Sequence, residues 1–179
     1  MTAGSDPLTA AALAARAGDQ AAAAVFVRTS QAAVWRLCAH LGDPGETQDL
    51  AQETYLRAFR SLPSFEGRAA ARTWLLSIAR RTCADAVRDR RRRPRVEPGA
   101  TVPEATTGGD LSEGIALRRQ VGALHPDRRD AFVLTQLVGL SYPEAAEVCG
   151  CPVGTIRSRV ARAREDLVTG LSEQHGRTG

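Results

Sequence analysis

Apolar residues recur along most of this chain three and four positions apart, and I-V-T-aromatic alternation of the kind a half-buried strand needs is not found. Gly and Pro cut the helical pattern into pieces. A first helix is predicted over 7–17, stopping at Gly18, and a second over 19–41, closed by Gly42-Asp43-Pro44-Gly45. A third spans 46–61, ahead of Leu62-Pro63. A fourth runs from about Ala69 into the Arg90–Arg93 cluster and ends before Pro94, which pushes its predecessor out of helical geometry. The pattern then lapses. Residues 94–110, with three Pro, three Gly and almost no large apolar side chain, cannot bury enough surface to offset their ordering entropy. Periodicity resumes over 111–124, 127–138, 141–149 and 152–171. The expectation is an all-α protein: two small helical domains, 1–93 and 111–171, on a flexible linker 94–110, with a disordered tail 172–179.

Composition supports helices, because Ala supplies much of the 43% hydrophobic content while aromatics are only 4%. All 24 basic residues are Arg, and the chain has neither Lys nor Asn, which G+C-rich codon usage explains without reference to function. A formal charge of +4 is modest, so its distribution matters more than its size. From Glu66 to Arg95, ten Arg face Glu66, Asp85 and Asp89, a net +7; from Pro152 to Arg164, Arg157, Arg159, Arg162 and Arg164 stand without an acid, a net +4. Two separated basic stripes on a nearly neutral body point to a polyanion touched at two places.

Other function classes find little support. No stretch approaches the roughly 20 apolar residues of a membrane span, and the first residues lack the basic start and apolar core of a signal peptide, so a cytoplasmic protein without membrane insertion is expected. Cys38, Cys83, Cys149 and Cys151 do not form a disulfide framework. Neither the Asp49/Glu53 pair nor Cys149/Cys151 has the further ligands a metal needs, and His40, His125 and His175 are scattered. No catalytic residue, cofactor or small-molecule substrate is expected.

The predicted helical faces carry the functional signal. Over 152–167, Val153, Ile156, Val160, Ala163 and Leu167 form one apolar stripe for a core. Ser158 and Arg162 lie opposite, with Thr155 and Arg159 on one shoulder and Arg157 on the other. Arg can pair with guanine in the major groove or bind phosphate, and the short helix and Gly turn before it give helix-turn-helix spacing. The plain alternative is a solvated Arg-rich helix. In the third helix, Leu50, Ala51, Thr54, Tyr55, Ala58 and Phe59 form the packing stripe, while Leu56 sits among Asp49, Gln52, Glu53, Arg57 and Arg60. That arrangement suits a docking surface or an isolated exposed Leu. In the fourth, Leu75, Leu76, Ala79, Cys83, Ala86 and Val87 face inward, and Trp74 lines up with Ser77, Arg81 and Arg88. There the indole can stack on an unpaired base, or tuck under the preceding loop as core. Trp35, near Phe26, Val34 and Leu37, is expected in the core.

These residues resemble a known family. LVGLSYPEAAEVCGCPVGTIRSRVARAREDL is similar to region 4.2 of extracytoplasmic-function sigma factors, and DLAQETYLRAF to their region 2.2, with Tyr55 where Phe is usual. ARTWLLSIARR resembles regions 2.3 and 2.4. The resemblance implies a two-domain transcription initiation factor. Its implied partners are core RNA polymerase (β′ clamp helices and β flap), promoter DNA in double- and single-stranded form, and an anti-sigma factor. It assigns Asp49, Gln52, Glu53, Leu56 and Arg57 to the polymerase, and Thr155, Arg157, Ser158, Arg159 and Arg162 to the −35 element. The −10 element would fall to Ser64, Phe65, Arg68, Arg72, Trp74, Ser77, Arg81 and Arg88, with Glu66 and Gly67 in the same loop. Whether two basic domains on a linker fold onto each other in a compact, autoinhibited free state is a question the sequence leaves open. The rival readings are a helix-turn-helix regulator acting without polymerase, which leaves DLAQETYLRAF unused, and a nucleic-acid-processing enzyme, which lacks a nucleophile or metal cluster.

Overall fold

The computed structural model describes residues 6–92 and 111–175, which are helices and short turns with no strand among them. The flexible linker expected over 94–110 lies outside the described residues. The chain divides into two compact units, Met1–Pro94 and Arg95–Gly179.

The first unit packs four helices: α1 (Pro7–Arg16), α2 (Gln20–Leu41), α3 (Thr47–Ser61) and α4 (Ala71–Arg92). Asp6 and Asp19 cap α1 and α2 by accepting first-turn N–H groups, as short acceptors at that position do. Between them Gly18 turns the chain at φ +100, which a side chain would oppose. The core is built from Phe26, Val34 and Leu37 of α2, Leu50 and Ala58 of α3, and Leu75, Leu76 and Ala79 of α4, all buried. Each large apolar side chain so buried contributes about 1.5–3 kcal/mol. The buried Thr73 hydroxyl of α4 has no partner among the described residues, while two polar groups inside are satisfied locally: Thr54 Oγ1 donates to the Leu50 carbonyl at 2.7 Å, and Ser30 Oγ meets Tyr55 Oη at 2.8 Å. That hydroxyl pairing accommodates Tyr in place of Phe, although burial still pushes the Tyr55 phenol up.

Trp35 corrects the sequence expectation, for it is 45% exposed. The buried stripe of α2 runs through Phe26, Ser30, Val34, Leu37, Cys38 and Leu41. One residue past Val34 turns the side chain by about 100°, out of the side that packs on its neighbours.

The second unit contains α5 (Leu111–Ala123), α6 (Pro126–Phe132), α7 (Tyr142–Cys149) and α8 (Val153–His175). The single helix expected over 127–138 gives way after Phe132 to a wider π-type turn, Val133–Leu137, closed by the Val138 N–H to Val133 carbonyl bond at 2.9 Å. Val133, Leu134, Thr135 and Val138 are all buried. They span more of the circumference than an α-helical stripe covers, and the wider turn brings them inward together. The other correction concerns the tail: α8 continues to His175, beyond the end expected at 171, because no Gly-Pro break precedes Gly176 and the residues between are compatible with a helix.

Candidate nucleic-acid interface

In the second unit, a two-helix corner presents the basic surface. Ser141 and Glu144 form a reciprocal capping box at the start of α7: the Ser141 hydroxyl accepts the Glu144 N–H while the Glu144 carboxylate accepts the Ser141 N–H at 2.7 Å. Gly150 ends α7 in the left-handed region at φ +63, which turns the chain into α8 at once. Ile156, Val160 and Ala163 of α8 are buried in the same unit as Ala145, Ala146 and Val148 of α7. Val153, counted in the apolar stripe, is instead exposed, because it is the first residue of α8 and has no preceding turn to pack beside.

The four arginines of this helix separate into two kinds. Arg157 and Arg162 are exposed along with Ser158, and Thr155 is half-buried. Arg159 is only 25% exposed: its Nη2 donates to Asp127 Oδ2 of α6 at 2.6 Å and its Nη1 approaches Cys151 Sγ at 3.7 Å. It therefore ties α6, the turn and α8 together. Arg164 similarly donates to Gln136 Oε1 at 2.7 Å. Spacing could not distinguish these roles, since Asp127 lies far from Arg159 in sequence and pairs with it only through folding.

In the first unit, α3 offers Asp49, Gln52 and Leu56 to solvent, with Leu56 48% exposed. Glu53 and Arg57 are half-buried and already engaged. Arg57 Nε donates to Glu53 Oε1 at 2.8 Å and its Nη1 to Asp85 Oδ2 of α4 at 2.7 Å, while Arg88 also pairs with Asp85. The Arg57 bond holds the Asp85 carboxyl below its ordinary range, with Arg88 adding to the effect. The Glu53 and Asp85 bonds raise Arg57 in turn. Arg90 reaches both Asp43 and Glu46, fastening the end of α4 to the turn before α3. Of the five docking residues expected here, three are presented, Arg57 braces α3 on α4 through Asp85, and Glu53 holds Arg57 from within α3.

The −10 set divides as well. Arg81 is exposed on α4, and Arg57, Ser61, Ile78, Ala84 and Arg88 join it around an open basic groove of about 590 Å³ between α3 and α4. Ser64 and Arg68 are exposed in the loop before α4, where Arg68 pairs with Glu66. Phe65 is buried at 5% exposure, so it is not an open base-stacking residue. Its ring lies under Trp74, with centroids 4.7 Å apart and planes 35° apart, and Phe26 flanks the indole at 6.5 Å. Trp74 is half-buried on the loop's Phe65, with one portion left to solvent. Arg72 and Ser77 are half-buried, and Ser77 Oγ donates to the Thr73 carbonyl at 2.9 Å.

No cluster of three His, Cys, Asp or Glu side chains suited to a metal occurs among the described residues, and none of the described helices is long and apolar enough to cross a membrane. Cys149 and Cys151 are half-buried thiols at the turn.

Similarity to known proteins follows the same two units. Sigma-70 region 2 matches residues 26–93, and Sigma-70, region 4 matches residues 115–167. A probable RNA polymerase sigma-C factor of Mycobacterium bovis is 49% identical over 168 residues, covering 91% of this chain and 90% of its own. The extracytoplasmic-function (ECF) RNA polymerase sigma-E factor of Escherichia coli is 36% identical over 165 residues, covering 84% and 86%. Among solved structures, CnrH in complex with the cytosolic domain of CnrY matches with a TM-score of 0.76 at 26% identity, covering 94% of this chain and 99% of that one. The sigma factor RpoE in complex with the anti-sigma factor NepR, from Bartonella quintana, gives a TM-score of 0.66 at 30% identity, covering 82% and 96%. With both regions in order and relatives matched over nearly their whole length, the chain belongs to the sigma-70 family and is an RNA polymerase sigma factor of the extracytoplasmic-function type.

Proposed function

We propose that this sigma factor docks on core RNA polymerase through the solvent face of α3, reads −35 duplex DNA with α8, and holds the melted −10 strand against α4 and the loop before it. The observation that carries this division of labour is the pair of exposed basic faces, one in each matched region, with Leu56 exposed beside the first. Leu56, Gln52 and Asp49 make the polymerase contact, the apolar side chain supplying burial and the polar ones orientation. Clamp helices of β′ are the natural seat for α3, and the β flap for the second unit. Arg157 and Arg162 reach the major groove, with Ser158 and Thr155 beside them and Arg159 acting chiefly from beneath. Arg81 and the exposed part of Trp74 take the −10 strand, supported by Ser64, Arg68, Arg72, Ser77 and Arg88, with Phe65 as the floor.

The factor works in the cytoplasm as an initiation factor and not as a catalyst. An anti-sigma partner is part of this reading, supported by two structural relatives seen with CnrY and NepR. Run-off transcription from a promoter library, with core polymerase present and the factor added or omitted, tests the whole scheme. Transcripts that need the factor, and disappear with Leu56→Asp while −35 duplex binding survives, are the expected result. Tight DNA binding without any association with core polymerase would overturn it in favour of a plain helix-turn-helix regulator.

A further inference from the structure

The region 2 match begins at residue 26, yet α1 ahead of it touches the loop between α3 and α4 at three places. Thr9, Leu13 and Arg16 lie at i, i+4 and i+7, so they share one face of α1. Thr9 Oγ1 accepts the Ala71 N–H at 2.8 Å, a buried bond that satisfies one of the free donors at the start of α4. The same hydroxyl donates to Asp6 Oδ2 at 2.8 Å, which fixes its direction. Leu13 packs against Gly67, which sits at φ +73; a Cβ there would come within 3.3 Å of Leu13 Cδ1. Arg16 Nη1 donates to the Phe65 carbonyl at 2.6 Å, and the Phe65 ring carries Trp74.

The loop is therefore held from outside, at its middle by Leu13, at Phe65 by Arg16, and at its exit by Thr9. Within the loop itself, the Phe65 N–H to Leu62 carbonyl bond at 3.0 Å and the Ser64 hydroxyl to Ser61 carbonyl bond at 2.7 Å lie at its entrance, and Arg68 pairs with Glu66 in an exposed ion pair farther on. A charge-assisted bond to a carbonyl is among the stronger tethers available to a loop.

We propose that α1 is a brace that sets the shape of the 62–70 loop and, through Phe65, the pose of Trp74, so that Arg16 is a positioning residue for capture of the melted −10 strand. This rests on the reading that the loop and α4 take that strand. A Phe65 carbonyl released from Arg16 leaves the loop free to shift, and the indole then loses its fixed floor. Binding would suffer because the loop must be ordered at the moment of capture.

The test uses the full chain assembled with core polymerase and a fluorescent single strand spanning the −10 element of a promoter recovered by the run-off selection. Arg16→Ala should weaken binding of that strand about tenfold, the scale expected for loss of one charge-assisted bond. Binding to core polymerase and to −35 duplex should change less than about twofold on the same reasoning, since Arg16 is in neither proposed surface. Arg16→Lys, which keeps a cationic donor, should recover a substantial part of the loss. If Trp74→Ala weakens the −10 strand and Arg16→Ala does not, the brace is wrong and the −10 reading stands. If neither does, the −10 reading itself falls and takes the brace with it. A general loss of −10, −35 and core binding with a collapsed melting temperature also overturns the proposal, because Arg16 would then serve the fold alone.

Discussion

The basic faces of the two units are made differently. In α8, Arg157 and Arg162 extend into solvent from a helix whose other side is anchored by Ile156, Val160 and Ala163, while Arg159 is turned inward to Asp127 and Arg164 donates to Gln136. In the first unit several arginines serve the fold: Arg57 bridges α3 to α4, Arg88 shares its acid, Arg90 reaches Asp43 and Glu46, and Arg16 donates to the Phe65 carbonyl. A rigid duplex can be read by one stiff helix with two free cations. In the proposed scheme, a strand that must be unpaired and held needs a loop, an aromatic floor and several helices kept in register, and the ion pairs of the first unit brace those helices. Net charge along the sequence therefore overstates the cations available to DNA in both units.

The comparison breaks most readily at α8. Arg157→Ala with Arg162→Ala should reduce −35 duplex affinity by about 2–6 kcal/mol in all if both pair with bases, at about 1–3 kcal/mol each, and flatten its salt dependence. Binding to single-stranded −10 DNA should be unchanged, and fluorescence anisotropy on the two probes checks both statements. An equal loss on both would mean that the two faces do not divide the promoter between them.

A smaller effect sharpens the contrast between free and engaged arginines. Arg159→Ala or Asp127→Ala alone should lower the melting temperature of the second unit by a few degrees, since a partly exposed ion pair contributes up to about 1 kcal/mol. Exchanging the pair, Asp127→Arg with Arg159→Asp, should restore most of the stability and most of the −35 binding. Restored stability with −35 binding still lost would instead make Arg159 a direct DNA contact.

The smallest expected effect is on pH. Asp85 has its folded-state carboxyl depressed by Arg57 and Arg88, so its contribution is present above the ordinary carboxylate range, near pH 4, and is lost as pH falls through the depressed value. Thermal melts from pH 6 downward should show Asp85→Asn less stable than the parent at pH 6 and the gap closing in acid. A gap that is constant across that range would remove the titration of Asp85 from the account.

Much of this was legible in the sequence because the signals are local. Ser141 with Glu144, Gly150 after α7, and the Ile156-Val160-Ala163 stripe each reflect chemistry within a turn or two, so the helix-turn-helix could be read directly. Leu56 could be read as exposed for the same reason. Trp35 could not, because its neighbours in sequence are buried and only the side from which α2 is covered leaves the indole out. Phe65 enters the −10 set only through the family resemblance, and it is buried with Trp74 stacked against its ring, a contact between loop and helix that the resemblance does not carry.

The sequence by itself determined the helices, most of their limits, the inward faces and the family, since propensity, capping and periodicity act over a few residues. Tertiary structure alone decided which arginines remain free. Asp127 with Arg159, Asp85 with Arg57, and Arg16 with the Phe65 carbonyl are pairs distant along the chain. A guanidinium on a long flexible stem takes the acceptor that packing brings within reach, and packing is a property of the assembled helices.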